Sequence, residues 1–440
     1  MNIEHNNMET TPIGRLLLKL SPPVMLSLLI QSIYNIVDSF FVARYSAEGL
    51  TALSLICPIQ FLMIALATGT GAGVNIIISR LDGLGETTKQ QNYIRTSLIL
   101  AVVNFIIFAI PVNCLTGSYF HIFSENVVVR RQGILYTHII LAGALGLFIE
   151  SICTKILQAR SNMVVPMIAQ VTGSIINVIL DPLLIFGMAF FPKLGIAGAA
   201  IATVIGQWAA MFITLTAVLK KYSIRGHFSF LAVRRIYQNG IGSIVTQSLC
   251  TLYIVGLNMI LKDFTEDAVT VLGLYYKIQS FFFIPLLGFQ QVLLPVISYN
   301  YGAGKIKRTR DALKFASFLS CGIMAAATLI FILFPDKLLG IFSTEASILS
   351  IGCFAFRVIS LSFVPAGLTI AITSYLQGVA RMKESVFIIV LRQVFLLVPL
   401  AWILHFFGLS AVWWTFPLTE IIASLWCVVL VTVKDKAQTV

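Results

Sequence analysis

Apolar residues run through this chain in long unbroken blocks, and polar residues collect between the blocks. Twelve blocks stand out, at 22–44, 50–79, 92–114, 133–157, 164–190, 195–219, 236–261, 267–300, 311–334, 348–377, 385–406 and 408–433. A helix of about 20 apolar residues crosses a bilayer, so each block is long enough to span one. Several are longer than a span needs and must tilt, kink or protrude. Pro58, Pro285, Pro295 and Pro365 lie inside long blocks and are the expected kink sites. Barrel strands would alternate apolar and polar over segments of about 10 residues, and these blocks do not. The pattern predicts an all-α polytopic membrane protein.

Composition and charge sharpen this. Only 11% of residues are charged and 58% are hydrophobic, against roughly 25% charged in soluble domains. A net charge of +12 would suit nucleic acid, but the basic residues flank the spans, so no nucleic-acid partner is expected. With the N-terminus inside, 21 of the 30 Lys and Arg fall on inner segments and 6 on outer ones. Lys277, Arg357 and Arg392 lie within spans, Arg357 near an outer end where it would snorkel. The asymmetry predicts a cell-membrane protein with both termini cytoplasmic. The seven cysteines (57, 114, 153, 250, 321, 353 and 427) are scattered in or beside apolar blocks and read as packing residues. The polar first ~14 residues show no cleavage-like site, so no removed signal peptide is expected.

The blocks repeat. Ile59-Gln60 matches Ile278-Gln279, and Ser79, Gly83 and Gly85 match Ser298, Gly302 and Gly304. Ile122-Phe123-Ser124 matches Ile341-Phe342-Ser343, and Leu157-Gln158 matches Leu376-Gln377, all 219 residues apart. Six spans intervene, so the halves share an orientation, with a symmetry axis along the membrane normal and a central cavity between them. The expected organisation is a six-helix lobe over 1–219, a basic cytoplasmic linker over 220–235 and a second six-helix lobe over 236–440.

Candidate chemistry lies where charge interrupts the apolar blocks. Asn177 and Asp181 sit at i and i+4 on one helix face, with Pro182 directly after. A carboxylate at membrane depth costs at least ~2.5 kcal/mol, so such a group is expected to face a cavity and bind something. Asp38 is about seven residues from the outer end of span one near Tyr45. Asp181 is about eight from its own outer end near Ala189, and Thr203 about eight from Gly195. At 1.5 Å per residue all three reach a depth of ~12 Å. Thr203 could bond the carbonyl of Ala199 one turn back, or that carbonyl could itself serve as a ligand. Two carboxylates, an amide oxygen, a hydroxyl and a carbonyl suit Na⁺, and two close carboxylates equally suit a proton. The alternative, that the acids pair with basic side chains, finds no Lys or Arg at that depth in spans one, five or six. Shifted by the repeat, Asp181 falls on Leu400, so the second half does not keep the acids.

Gln31, Tyr34, Phe148, Met167, Tyr253, Phe282, Tyr375 and Trp413 are candidates for a cavity lining that stacks on flat organic cations. Glu150 and Glu420 are further membrane-depth acids that could face it. There is no GxxxxGK[ST], HExxH or GxSxG, and Gly69-Thr-Gly71-Ala-Gly73 lies inside a span where it serves packing, so an enzyme or ATP-driven pump has no support.

With Tyr34-Asn-Ile-Val-Asp38-Ser-Phe-Phe-Val, Leu157-Gln-Ala-Arg-Ser-Asn162, Asn177-Val-Ile-Leu-Asp181-Pro182 and Gly195-Ile-Ala-Gly198-Ala-Ala-Ile-Ala-Thr203, the chain resembles the multidrug and toxic compound extrusion (MATE) family over its full length. It looks like the branch of Gram-positive multidrug exporters. The resemblance implies two lobes around a V-shaped cavity, export of organic cations in exchange for Na⁺ or H⁺, and no cofactor. It carries cation binding onto Asp38, Asn177, Asp181, Thr203 and the carbonyl of Ala199. A branch that binds its cation in the second lobe uses acids in spans seven and ten, where this chain has Gln247, Tyr375 and Gln377. The chain is taken as a monomer. A lipid-linked oligosaccharide flippase is the competing transporter reading, and a channel or receptor the competing reading of another class.

Overall fold

The structure is a computed structural model. It describes residues 8–188, 191–342 and 345–437, with the side chains of 250, 251 and 433–437 left out. Ala189, Ser343 and the side chains of Cys250, Lys434 and Lys436 therefore lie outside the described residues.

Every expected block is helical. Six spans come first: α1 (Ile13–Tyr45), α2 (Ala47–Gly83), α3 (Thr87–Phe123), α4 in two arms (Val127–Gly143 and Leu145–Ala159), α5 (Val164–Phe186) and α6 (Ile196–Lys221). Six follow: α7 (Phe230–Lys262), α8 (Glu266–Gly302), α9 (Ile306–Leu333), α10 in two arms (Ala346–Ser360 and Phe363–Gly378), α11 (Met382–His405) and α12 (Leu409–Thr432). Ten are single helices long and apolar enough to cross a membrane, and the two-armed pairs make up to twelve. A helix closes its backbone hydrogen bonds within itself, which is what hydrocarbon demands.

The helices run on through Pro58, Pro182, Pro285 and Pro295. The sharp breaks are 46° between the arms of α4 and 43° between those of α10. The second falls at Leu361-Ser362, one turn before Pro365, which lacks the N–H that would have closed on Leu361 O, so of the four expected kink sites Pro365 lies at a sharp break. In α4 the break needs no proline. Trp208 Nε1 of α6 donates to the Gly143 carbonyl at 2.9 Å. That bond occupies an acceptor the helix leaves open where it turns.

The 219-residue repeat is written into the turns. Both α2 and α8 are 37 residues long. Ser46 caps α2 by accepting from Gly49 N, and Thr265, 219 positions on, caps α8 by accepting from Ala268 N. Each such cap is worth about 1 kcal/mol. Gly85 and Gly304 end these helices at φ +73° and +71°. Ser161 and Ala380 also sit at positive φ, 62° and 59°. Asn162 N donates to Leu157 O and Arg381 N to Leu376 O, the six-to-one bond of a left-handed helix cap. The repeated Leu-Gln pair is thus part of a helix stop.

The described chain falls into two compact units, Leu20–Ile244 and, with Glu9–Lys19, the residues from Val245 onward. The cut does not follow the linker. The start of α1 belongs to the second unit, where Lys305 Nζ pairs with Glu9 at 2.6 Å and Arg308 donates to Thr11 O at 2.8 Å. The start of α7 belongs to the first. There a Cβ on Gly73 would lie 2.1 Å from Ile236 O, so only glycine admits the approach. Each unit has its own core, around Phe120, Tyr136 and Phe148 in the first and around Tyr275, Phe331, Phe356 and Phe363 in the second.

Candidate functional site: paired carboxyls in the first unit

The site is built on a closely packed helix pair of the first unit. A Cβ on Gly173 of α5 would lie 2.6 Å from Gly206 O of α6, and one on Gly206 2.6 Å from Gly173 O. A Cβ on Gly198 would lie 2.6 Å from Leu184 O. With glycine at these positions the two backbones nearly touch, a small-residue interface that lipid favours. Asn177 and Asp181 lie one and two turns along α5 from Gly173, and Asn177 meets Thr203 of α6.

Asn177, Asp181 and Ala199 are buried, and Asp38 of α1 nearly so. The amide of Asn177 is best satisfied with its oxygen toward α6. It then donates to Asp181 Oδ2 at 3.2 Å and accepts from Thr203 Oγ1 and N at 3.2 and 3.1 Å. Thr203 thereby turns its hydroxyl to Asn177. The carboxyls of Asp38 and Asp181 lie within hydrogen-bond contact of each other. Asp38 Oδ1 is buried with no hydrogen-bond partner. Two carboxyls this close repel when both are charged, so a cation or proton shared between them would relieve the pair.

Tyr34 and Tyr136 stand within electrostatic reach of both acids, and the Tyr136 side chain hydrogen-bonds with Gln60 of α2. Sequence reasoning missed Tyr136 and Gln60. The signal available was Gln60 in the repeated Ile-Gln pair, whose counterpart Gln279 lines a cavity.

That cavity lies in the second unit. It measures about 50 Å³ and is walled by Tyr253, Tyr275, Tyr276, Phe283 and Phe416, with Arg392 and Glu420 inside. Arg392 Nε meets Glu420 Oε1 at 2.8 Å. Arg392 belongs to a π-helical turn, Leu391–Leu396, inside α11.

The other predicted lining residues are not gathered at either place. Phe148 is core, packed against Phe105 and Phe108. Phe282 sits edge-on to Phe331, and Tyr375 and Trp413 are buried in the second unit. Glu150 accepts from Thr154 Oγ1 at 2.7 Å. Gln31 and Met167 are half-buried. Arg357 is exposed, as a snorkelling residue would be. Among the described residues no cluster of three or more His, Cys, Asp or Glu could hold a metal.

The family model MatE matches residues 23–183 and again 243–403. A curated relative from Shewanella oneidensis, "FAD transporter", is 26% identical over 96% of this chain and 95% of its own length. "Multidrug export protein MepA" of Staphylococcus aureus is 23% identical over 96% and 94%. Among solved structures, an outward-facing multidrug resistance MATE family transporter superposes with TM-score 0.91 at 23% identity, covering 98% of both chains. A MOP superfamily transporter from Pyrococcus furiosus, described by the reverse polarity of its binding pocket, gives TM-score 0.91 at 22% identity, over 99% of this chain and 98% of that one.

Proposed function

The chain belongs to the MatE family of membrane transporters, and on that premise we propose that it is a secondary active exporter of organic cations, coupled through the acid pair of its first unit. Membership removes the channel, receptor and enzyme readings. MATE transporters are ion-coupled antiporters, and the Asp38–Asp181 contact is the observation that carries the coupling assignment.

The mechanism follows from charge. Two unneutralised carboxyls in contact repel in a medium of low dielectric. A proton between them removes the repulsion and draws α1 against α5. Asn177 and Thr203 then hold Asp181 in place. An organic cation favours the unneutralised state, so each ligand shifts the population toward the state it binds better. Coupled in this way, proton entry drives solute exit. A proton is the ion this arrangement favours, because the amide N–H of Asn177 faces Asp181. Binding Na⁺ at the same oxygens would need that amide turned round. Both termini and the 220–235 linker are assigned to the cytoplasm from the distribution of Lys and Arg.

The test is ethidium efflux from proteoliposomes with pH and Na⁺ gradients imposed separately. Efflux driven by the pH gradient alone is expected. Efflux driven by Na⁺ alone would replace the proton with Na⁺, and efflux driven by neither would overturn the coupling.

A further inference from the structure

The Arg392–Glu420 centre has no part in the coupling just described, and its geometry is not that of a simple structural ion pair. Arg392 is about ten residues into α11, ~15 Å along the helix from Met382. A guanidinium buried at such a depth for stability alone would be hydrogen-bonded throughout. Here Glu420 meets it through Nε, and among the described residues it is the one ion-pair partner the guanidinium has. The Arg392 side chain keeps 25% of its surface open and lines the cavity. Around it Glu420 Oε2, Gln393 Oε1 and Thr419 Oγ1 are buried with no hydrogen-bond partner. All these residues line one cavity.

The walls add a shape. Tyr253 and Tyr276 are half-buried, with ring centroids 6.3 Å apart and planes tilted by 53°, and Tyr276 lies 5.2 Å from the buried Tyr275 at 57°. The open part of the Tyr253 or Tyr276 ring is a surface on which a planar ring can stack. The π-helical turn carries Arg392 and Gln393 together into the cavity, and such turns recur at functional sites. Pro399 lies just beyond it and lacks the N–H that would have closed on Phe395 O.

We propose that this cavity is an anion-accepting subsite for the transported solute, one that takes the carboxylate or phosphate group of a planar aromatic molecule. The free edge of the Arg392 guanidinium receives the oxyanion in a forked contact, the geometry arginine offers and lysine does not. Glu420 holds the guanidinium by Nε and balances its charge while the site is empty. The unpartnered oxygens of Glu420 and Gln393 take an N–H or O–H from the ring's edge. The cavity is the size of the charged group, so the ring lies against the tyrosines. The subsite rests on the reading of the chain as a solute transporter, and it widens the solutes from cations to zwitterions and aromatic anions.

The test is equilibrium binding to the purified full chain in phosphatidylcholine nanodiscs, with no ion gradient. The probes are fluorescein, a planar anion, and ethidium, a planar cation, read by fluorescence anisotropy. Arg392→Gln is expected to weaken fluorescein binding by about tenfold or more and to leave ethidium within about twofold. Arg392→Lys should fall between, since it keeps the charge and loses the fork. Removing one partner of a buried pair can unfold a protein, so the double variant Arg392→Gln/Glu420→Gln, which leaves no lone charge, is measured too. It should lose fluorescein in the same way. Wild-type affinity for fluorescein in the double variant, no fluorescein binding by the wild type, or equal loss of both probes would each overturn the subsite. Asp38→Asn and Asp181→Asn should bind fluorescein normally, so failure of the coupling assignment and failure of the subsite are told apart.

Discussion

Helices α5 and α6 of the first unit and α11 and α12 of the second are counterparts in the repeat, yet they meet in opposite ways. In the first pair Gly173 lets the backbones touch, and two acids are sealed beside a Thr and an Asn. The residue 219 positions after Gly173 is Arg392. Where the first unit has no side chain, the second has its longest cation, a π-helical turn to seat it and a cavity around it. One frame therefore carries two chemistries. A sealed acid pair suits an ion that is bound and released. An open, half-satisfied cation suits a larger anion. Duplication preserved the turns that shape the fold and left the facing positions to diverge.

The sharpest way to break this division is to neutralise each centre in turn. Asp38→Asn and Asp181→Asn should each lower gradient-driven ethidium efflux by about tenfold or more while the protein stays folded and inserted. Glu420→Gln should lower it by no more than about threefold. Equal losses at the two centres would erase the distinction.

A smaller effect separates the packing. Gly206→Val would push a side chain into Gly173 O, and overpacking of this kind costs about 1–3 kcal/mol. Thermal unfolding in detergent should show a lower Tm, with efflux impaired because Asn177 moves off Thr203. In the second unit Gly273, Gly322 and Gly340 have open space beyond the Cα. Gly322→Ala should leave stability within about 0.5 kcal/mol and Tm nearly unchanged, and a comparable loss there would remove the contrast.

Both central centres were partly legible in the chain. The twelve spans follow from apolar block length, and the acids stand out because charge inside such a block is rare. The repeat was readable because Gly85 and Gly304 must adopt positive φ and so recur at one offset. Other features left no trace. The break in α4 depends on Trp208, 65 positions away in sequence from Gly143. Tyr136 looks like any aromatic in a span until folding sets it beside Asp38. The first unit ends at Ile244 inside one continuous helix, so the place of the start of α7 in that unit could not be read from the sequence. A π-helical turn has no composition of its own, and Arg392 was visible as a charge but not as part of a cavity.

The smallest effect sharpens the repeat itself. Ser161 and Ala380 carry a side chain at positive φ, a conformation costing roughly 1–2 kcal/mol for residues other than glycine. Ser161→Gly and Ala380→Gly should each stabilise by about 0.5–1 kcal/mol after the entropy of the freer unfolded chain is set against the relief. Chemical denaturation should register similar gains for both. A gain at one position alone would mean that the two turns are not equivalent.

The central claim is that the Asp38–Asp181 pair exchanges its cation for solute. Proton release answers it most directly. Ethidium is added to the purified protein in weakly buffered solution, and the pH change is followed together with dye binding. The account predicts protons released in step with dye bound by the wild type, and dye bound without release by Asp38→Asn and Asp181→Asn. Release that persists in both variants, or dye binding to the wild type with no release of H⁺ or Na⁺, would contradict it.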